Sequence, residues 1–301
     1  MHVLVVGESL VDIVRAADGT ETEYAGGSAA NVAVALARLG RLVRFATSFA
    51  DDRRGRMVAQ HLAQSGVALA TDPGAVSRTS TAVATIGSDG SARYEFDIDW
   101  RLNPVAAREE PRLVHVCSLG AVLSPGADDV HALAARLRER ATVCYDINAR
   151  PAVTGTGAVT VAGVERMVGV SDLVKASDED LAVLYPDRTL ESAVQGLLTL
   201  GAVAVVVTRG VAGATWFSPD RHVDVSSHPT PVADTIGAGD TFAAGLIDAL
   251  WQRDLLGATR RQDLAAAAAD VITEVLAHAA RAAAVTVSRP GADPPYRAEL
   301  G

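Results

Sequence analysis

Short apolar runs rich in β-branched residues alternate along this chain with longer segments whose apolar positions recur every three or four residues. The first run, Val3 to Val6, reads as a strand, and after Asn31 the residues Val32, Ala35, Leu36 and Leu39 fall on one helical face with Gly40 placed as its stop. Val43 to Thr47 predicts a second strand, and the segment from about Arg53 to Gln64 a second helix. Strands follow at Leu113 to Cys117, Val143 to Asp146, Leu173 to Lys175 and Val203 to Thr208, with helices near Asp128 to Arg140 and Leu190 to Leu200. Beyond about Trp216 come short strands around Val223 and Val225 and a helix after Asp240. An Ala-rich helix is expected from about Asp263 to Ala284, in which Ala266 to Ala269 read as strong helix formers. Such repetition predicts an α/β fold, a parallel sheet covered on both faces with its ligand at the carboxyl ends of the strands. Two stretches break the alternation, Val11 to Glu23 and Thr79 to Trp100, the latter with a turn at Ser88-Asp-Gly90 between alternating runs. They predict a small antiparallel patch.

Composition narrows the partners. The 301 residues, 49% of them hydrophobic, can bury a sizeable core. A formal net charge of −9, without a basic run or interleaved aromatic cluster, argues against nucleic acid and for a small solute. No eighteen apolar residues run uninterrupted, and the opening His2-Val-Leu-Val-Val6 has no charged leader, so a cytoplasmic protein with no membrane partner is expected. Cys117 and Cys144 lie among strand-like apolar residues, where reduced buried thiols are expected rather than a disulfide or a metal site.

Two glycine-broken turns, each running into a helix, carry the chemistry. In Asp234-Thr-Ile-Gly-Ala-Gly-Asp240-Thr-Phe, glycines allow the N–H groups of Gly237, Ala238 and Gly239 to converge on an anion at the positive end of the helix dipole. Beside such a hole, Asp240 can take the proton of a hydroxyl while the attacked phosphate is held by backbone donors. In Tyr24-Ala-Gly26-Gly27-Ser-Ala-Ala-Asn31, the glycine pair lets backbone approach a ligand, and Asn31 in the first helical turn can donate to and accept from hydroxyl groups. Simple N-capping by Asp240 or Asn31 is the plainer alternative. The segment Gly7-Glu-Ser-Leu-Val-Asp12 lacks the G-x-G-x-x-G of a dinucleotide-binding dehydrogenase, whereas a carboxylate such as Asp12 at a strand end can bind two adjacent sugar hydroxyls.

Together the two turns resemble the paired signatures of the ribokinase-like (PfkB) sugar kinases, GG-x-x-x-N-x-A-x-x-L-A-x-L-G and D-T-x-G-A-G-D-x-F. The likeness runs from Gly7 to Thr286-Val-Ser-Arg-Pro-Gly-Ala292, and Gly26 to Gly40 is most similar to bacterial fructokinases, with Ser28 where ribokinases usually carry Lys. The resemblance implies one three-layer α/β/α kinase domain over residues 1–301. It also implies a β lid from about 11–24 and 79–101 that closes over the sugar and excludes water, and it is compatible with a homodimer through that lid. Asp12, Gly26, Gly27 and Asn31 would then bind the acceptor.

Further site residues follow from the same resemblance. Tyr145-Asp146-Ile-Asn148-Ala-Arg150 is similar to the D-x-N-x-R element of fructokinases and ketodeoxygluconate kinases, so Asp146, Asn148 and Arg150 are expected at the acceptor, an Asp146–Arg150 ion pair being the alternative. Lys175-Ala-Ser177-Asp178-Glu179-Asp180 aligns with the family's N-x-x-E element, with Ser177 and Asp180 in place of its Asn and Glu. Lys175 and Ser177 are then expected at the nucleotide and Asp180 at Mg²⁺ through a water, against the alternative of a capped helix start. Thr208-Arg-Gly210-Val-Ala-Gly213 resembles the T-x-G-x-x-G nucleotide loop, and His278 is similar in position to a residue bordering adenine. Asp234, Ile236 and the Arg289 to Gly291 turn match a monovalent-cation site, which points to K⁺. The expected activity is in-line phosphoryl transfer from ATP·Mg²⁺ to a sugar hydroxyl with Asp240 as base. D-Fructose leads as acceptor, ahead of 2-keto-3-deoxygluconate, ribose and nucleosides. A non-catalytic sugar-binding regulatory protein is the alternative of another class.

Overall fold

The computed structural model describes residues 1–16, 18–86, 92–105 and 110–301, and the turn expected at Ser88-Asp-Gly90 lies outside them. The strands are β1 (Val3–Val6), β2 (Leu10–Arg15), β3 (Glu21–Gly26), β4 (Val43–Ala46), β5 (Ala68–Leu69), β6 (Thr81–Ile86), β7 (Ala92–Asp97), β8 (Leu113–Cys117), β9 (Thr142–Asp146), β10 (Leu173–Ser177), β11 (Ala204–Thr208), β12 (Ala214–Ser218) and β13 (Arg221–Val225). The helices are α1 (Ser28–Arg38), α2 (Arg53–Gln64), α3 (Leu119–Val122), α4 (Gly126–Leu137), α5 (Pro151–Thr154), α6 (Ala158–Val168), α7 (Asp178–Leu184), α8 (Leu190–Thr199), α9 (Ala238–Gln252), α10 (Arg261–Ala265) and α11 (Ala269–Val287).

The apolar runs become a large sheet in the order β13-β12-β11-β10-β9-β8-β1-β4-β5, parallel except for the β11-β12-β13 edge. Val3 to Val6 and Leu113 to Cys117 are buried along their whole length because helices cover both faces. On one face Val3 and Val5 pack with α1, α9 and α11; on the other Leu4 and Val6 pack with α4, α6, α7 and α8. The chain leaves β1 toward β4 on one side and returns through β8 on the other, so the loops after β1 and β8 diverge at a switch point on the carboxyl edge.

The two stretches that interrupt the alternation form a second sheet, in the order β3-β2-β6-β7. It is mixed rather than wholly antiparallel: β2 and β6 pair in parallel, since the chain crosses through α1 and α2 between them. Val11 and Ile13 turn their side chains into the core, while Asp12, Val14 and Tyr24, with Tyr94 and Phe96 of β7, share the other face. The Ala-rich helix expected from Asp263 to Ala284 is also corrected. It breaks into α10 and α11, with Ala268 extended (φ −68°, ψ 155°) and the Ala267 carbonyl accepting from Arg221 Nη1 at 2.6 Å. Helix propensity there yields to packing, since Ala267 is buried against the edge hairpin.

Candidate active site

Helix α9 starts at the carboxyl edge of the large sheet. Its N-cap is Gly237 in the left-handed region (φ 74°), and a Cβ there would lie 2.7 Å from Ala292, so both conformation and space require glycine. No side chain caps this helix, which leaves its first N–H groups ahead of the helical ladder to face a ligand; Ala238 N–H makes only a 3.3 Å contact to the Thr235 carbonyl. Ala238 and Gly239 form one wall of a cleft of about 380 Å³. Thr208, Gly210 and Gly213 from the loop after β11, and Ala280, Ala284 and Val287 from α11, complete much of it.

Asp240 stands in the first turn of α9 and is 7% exposed. Ser28 Oγ donates to its Oδ1 at 2.6 Å and Asn31 Nδ2 to its Oδ2 at 2.8 Å, so the two glycine-rich turns meet at this carboxylate. Asn148 Nδ2 donates in turn to Ser28 Oγ at 2.7 Å. Ser28 was visible in the sequence only as a replaced Lys, yet it joins the expected base to the loop after β9.

Carboxyl groups crowd this place. Burial pushes Asp12 up to about 6, with Arg150 opposing and Asp240 adding to the rise. Asp12 lies within β2 rather than just past β1, and a Cβ on Gly26 would fall 2.2 Å from its Oδ2, which explains the glycine. Glu8, which no motif in the sequence marks, is 3% exposed and accepts the Gly120 N–H at 3.0 Å across the switch point. Burial raises it to about 7 against its backbone hydrogen bonds and Arg150, with Asp240 pushing the same way as burial. Glu8 and Asp12 thus each feel the charges of Arg150 and Asp240 next to the α9 N-terminus.

A family model for the pfkB family carbohydrate kinases matches residues 1–299. This chain belongs to that family. It is 33% identical to a fructokinase of Rhizobium leguminosarum bv. trifolii over 273 residues, covering 86% of this chain and 82% of the relative. Its fold matches a fructokinase of Xylella fastidiosa with bound ATP at a TM-score of 0.86 and 24% identity, over 99% of this chain and 96% of that one. A double mutant of the Vibrio cholerae O395 fructokinase, in its fructose-, ADP- and potassium-bound form, matches at a TM-score of 0.76 and 28% identity, over 97% and 93%. The chain is therefore an ATP-dependent sugar kinase of ribokinase-like fold.

Several residues expected at the kinase's ligands stand elsewhere. Asp146 and Lys175 form a buried ion pair, Oδ2 to Nζ 2.8 Å, at 0% and 3% exposure, because β9 and β10 are neighbours and both residues lie opposite each other in register. Lys175 Nζ lies 3.6 Å from where a Cβ on Gly239 would sit, so the pair stands beneath the α9 turn. Arg150 does not pair with Asp146; its Nη1 donates to the carbonyls of Asn148 and Ala149. Ser177 and Asp180 close a capping box on α7, and Asp180 Oδ1 also accepts the Ala149 N–H at 2.8 Å. Both Asp180 oxygens are thus engaged by backbone. His278 lies away from the cleft: on α11 it is opposite Ala280, Ala284 and Val287, and its Nε2 meets Asp248 Oδ2 at 2.9 Å. Asp234 accepts the N–H groups of Ile236 and Gly291 at 3.0 and 2.8 Å, which brings together the segments expected to hold a monovalent cation. Cys117 and Cys144 are free and buried. Among the described residues no helix is long and apolar enough to cross a membrane.

Proposed function

We propose that this kinase transfers the γ-phosphoryl group of ATP to the primary hydroxyl of D-fructose, giving fructose 6-phosphate and ADP, with Asp240 as general base. The observation that carries the reading is the junction of Asp240 with Asn31 and Ser28 beside the uncapped start of α9. ATP would lie in the cleft of Thr208, Gly210 and Gly213, its γ-phosphate toward the N–H groups of Gly237, Ala238 and Gly239. The sugar would lie among Asp12, Gly26, Gly27, Asn31, Asn148 and Arg150. As the sugar oxygen bonds to phosphorus, its proton passes to Asp240, and the bond to the β–γ bridging oxygen breaks, with charge stabilised by the α9 donors.

Among the described residues no group of three or more His, Cys, Asp or Glu side chains could hold a metal ion, and Asp180, whose oxygens each accept one backbone N–H, keeps a lone pair on each for a metal-bound water. Mg²⁺ accordingly fits as the companion of the ATP phosphates, keeping its waters. Asp234, Ile236 and the Arg289–Gly291 turn are the proposed K⁺ site, a reading supported by the potassium ion of the Vibrio cholerae relative. We assign residues 11–24 and 79–101 as the lid of a single domain. A homodimer would use the lid face that Asp12 shares with Tyr94 and Phe96, which stack at 6.2 Å and are both exposed. The cytoplasm, where ATP and reduced thiols are found, is the proposed compartment.

With Asp12 and Asp240 against the single Arg150, the acceptor space favours a neutral sugar over 2-keto-3-deoxygluconate, whose carboxylate would add a further negative charge. A coupled ADP-release assay over fructose, ribose, ketodeoxygluconate and nucleosides, with Mg²⁺ and with or without K⁺, tests this. Fructose is expected to give the highest kcat/KM. Turnover confined to an acidic sugar or a nucleoside would overturn the acceptor assignment.

A further inference from the structure

Ser28 takes no part in the chemistry proposed above, yet it is 6% exposed and stands between two residues that do. Its Oγ donates to Asp240 Oδ1 at 2.6 Å while accepting from Asn148 Nδ2 at 2.7 Å. A hydroxyl has one proton, and an amide nitrogen only donates. With Asn148 occupying a lone pair of Ser28, the hydroxyl proton is left for the carboxylate, so Asn148 sets the direction of the Ser28 hydrogen bond.

Asn148 is itself held in place. Its backbone has φ 38°, a conformation asparagine tolerates better than most residues, and Ser118 Oγ donates to its carbonyl at 3.1 Å. The next N–H, of Ala149, donates to Asp180. The amide that directs Ser28 is therefore clamped by the helix cap of α7.

We propose that Ser28 is a positioning residue for phosphoryl transfer: directed by Asn148, its hydroxyl fixes the orientation of Asp240, so that the loop after β9 and the base are set as one unit. This rests on the kinase reading with Asp240 as base. Ser28 and Asn31 together take one lone pair on each carboxylate oxygen, fixing which lone pairs remain for the acceptor proton. Misalignment of such a group lowers the rate of the chemical step without touching nucleotide binding, since Ser28 does not line the nucleotide cleft.

The test is a double-mutant cycle read by ADP release at saturating sugar, with Ser28→Ala, Asn148→Ala, the double variant and Asp240→Asn. Ser28→Ala is expected to lower kcat about tenfold with KM for ATP within about twofold, and the double variant to lose less kcat than the product of the two single losses, whatever Asn148→Ala costs through the sugar. Wild-type kcat in Ser28→Ala, or losses that multiply, would overturn the proposal. Ser28→Cys keeps the shape with a weak donor and carries the same expectation should Ser28→Ala fail to fold by circular dichroism; full activity in it is equally fatal. An Asp240→Asn enzyme as fast as wild type would overturn the base assignment and this proposal with it. Loss in Asp240→Asn with an intact Ser28→Ala would remove this proposal alone.

Discussion

At the scale of single residues, Asp240 is the most exacting position, because both of its oxygens already accept hydrogen bonds from side chains of α1. Asp240→Asn removes the proposed base, and steady-state kinetics should show kcat lowered by about 10²–10⁴, the range for loss of general-base catalysis. An amide also cannot accept from Ser28 and Asn31 together, so one donor loses its partner and the melt should show a cost of about 1–3 kcal/mol. The sequence made this residue legible through glycine spacing, since a turn that needs left-handed backbone before a helix leaves a strong mark. Asp146 and Lys175 were not legible. Their pairing depends on the register of β9 against β10, and a partner 29 residues away leaves no local trace.

At the scale of elements, two helix ends divide the residues that reach a ligand from those that hold the frame. The N-terminus of α7 is closed by Ser177 and Asp180, so Asp180→Ala should destabilise the protein by about 0.5–2 kcal/mol, the worth of a cap. If Asp180 is only a cap, Mg²⁺ titrations of variant and wild type will superimpose; a shifted midpoint would restore the metal role that the family pattern implied. On the far side of α9, Asp248 is wholly buried and accepts from Arg41, Gln252, His278 and Arg297. Burial alone would raise this carboxyl, but hydrogen bonds from His278, Arg297 and Arg41 outweigh it and hold it well below the ordinary carboxylate range. Its contribution to stability is therefore present above the unfolded carboxyl's pKa and is lost as pH falls toward the lower folded value. Asp248→Ala should cost nearer the lower end of about 3–5 kcal/mol in denaturant melts, because Arg297 is partly exposed, and should leave the KM for ATP unchanged. His278 stands on the side of α11 away from the cleft, since a motif offset gives a helix but not which side of it faces the cleft.

At the scale of the whole molecule, alternating apolar runs were enough to read the large sheet and its carboxyl-edge site. They were not enough for α6, whose Val- and Gly-containing sequence hides helical periodicity, nor for the two-residue β5, nor for the parallel pairing inside the small sheet. Acidity at the site has a global signature. Glu8 is raised by burial to about 7, so its neutral form is the one the fold accommodates; stability from this group is full below its unfolded pKa of about 4.5 and is lost as pH rises through 7. Glu8→Gln, which keeps an acceptor for Gly120, should therefore melt higher relative to wild type at pH 8 than at pH 5, and a gap that narrows with rising pH would refute it. The contacts that hold Asp240 span 212 and 209 residues of sequence, from the start of α1 to the start of α9. α9 is itself packed against α11 in the core. During translation, then, the loop proposed for the nucleotide and the strands proposed for the sugar leave the ribosome well before the proposed base does, and Asp240 waits for α11. A message truncated upstream of α9 therefore yields a polypeptide that lacks both the proposed base and the helix it packs against.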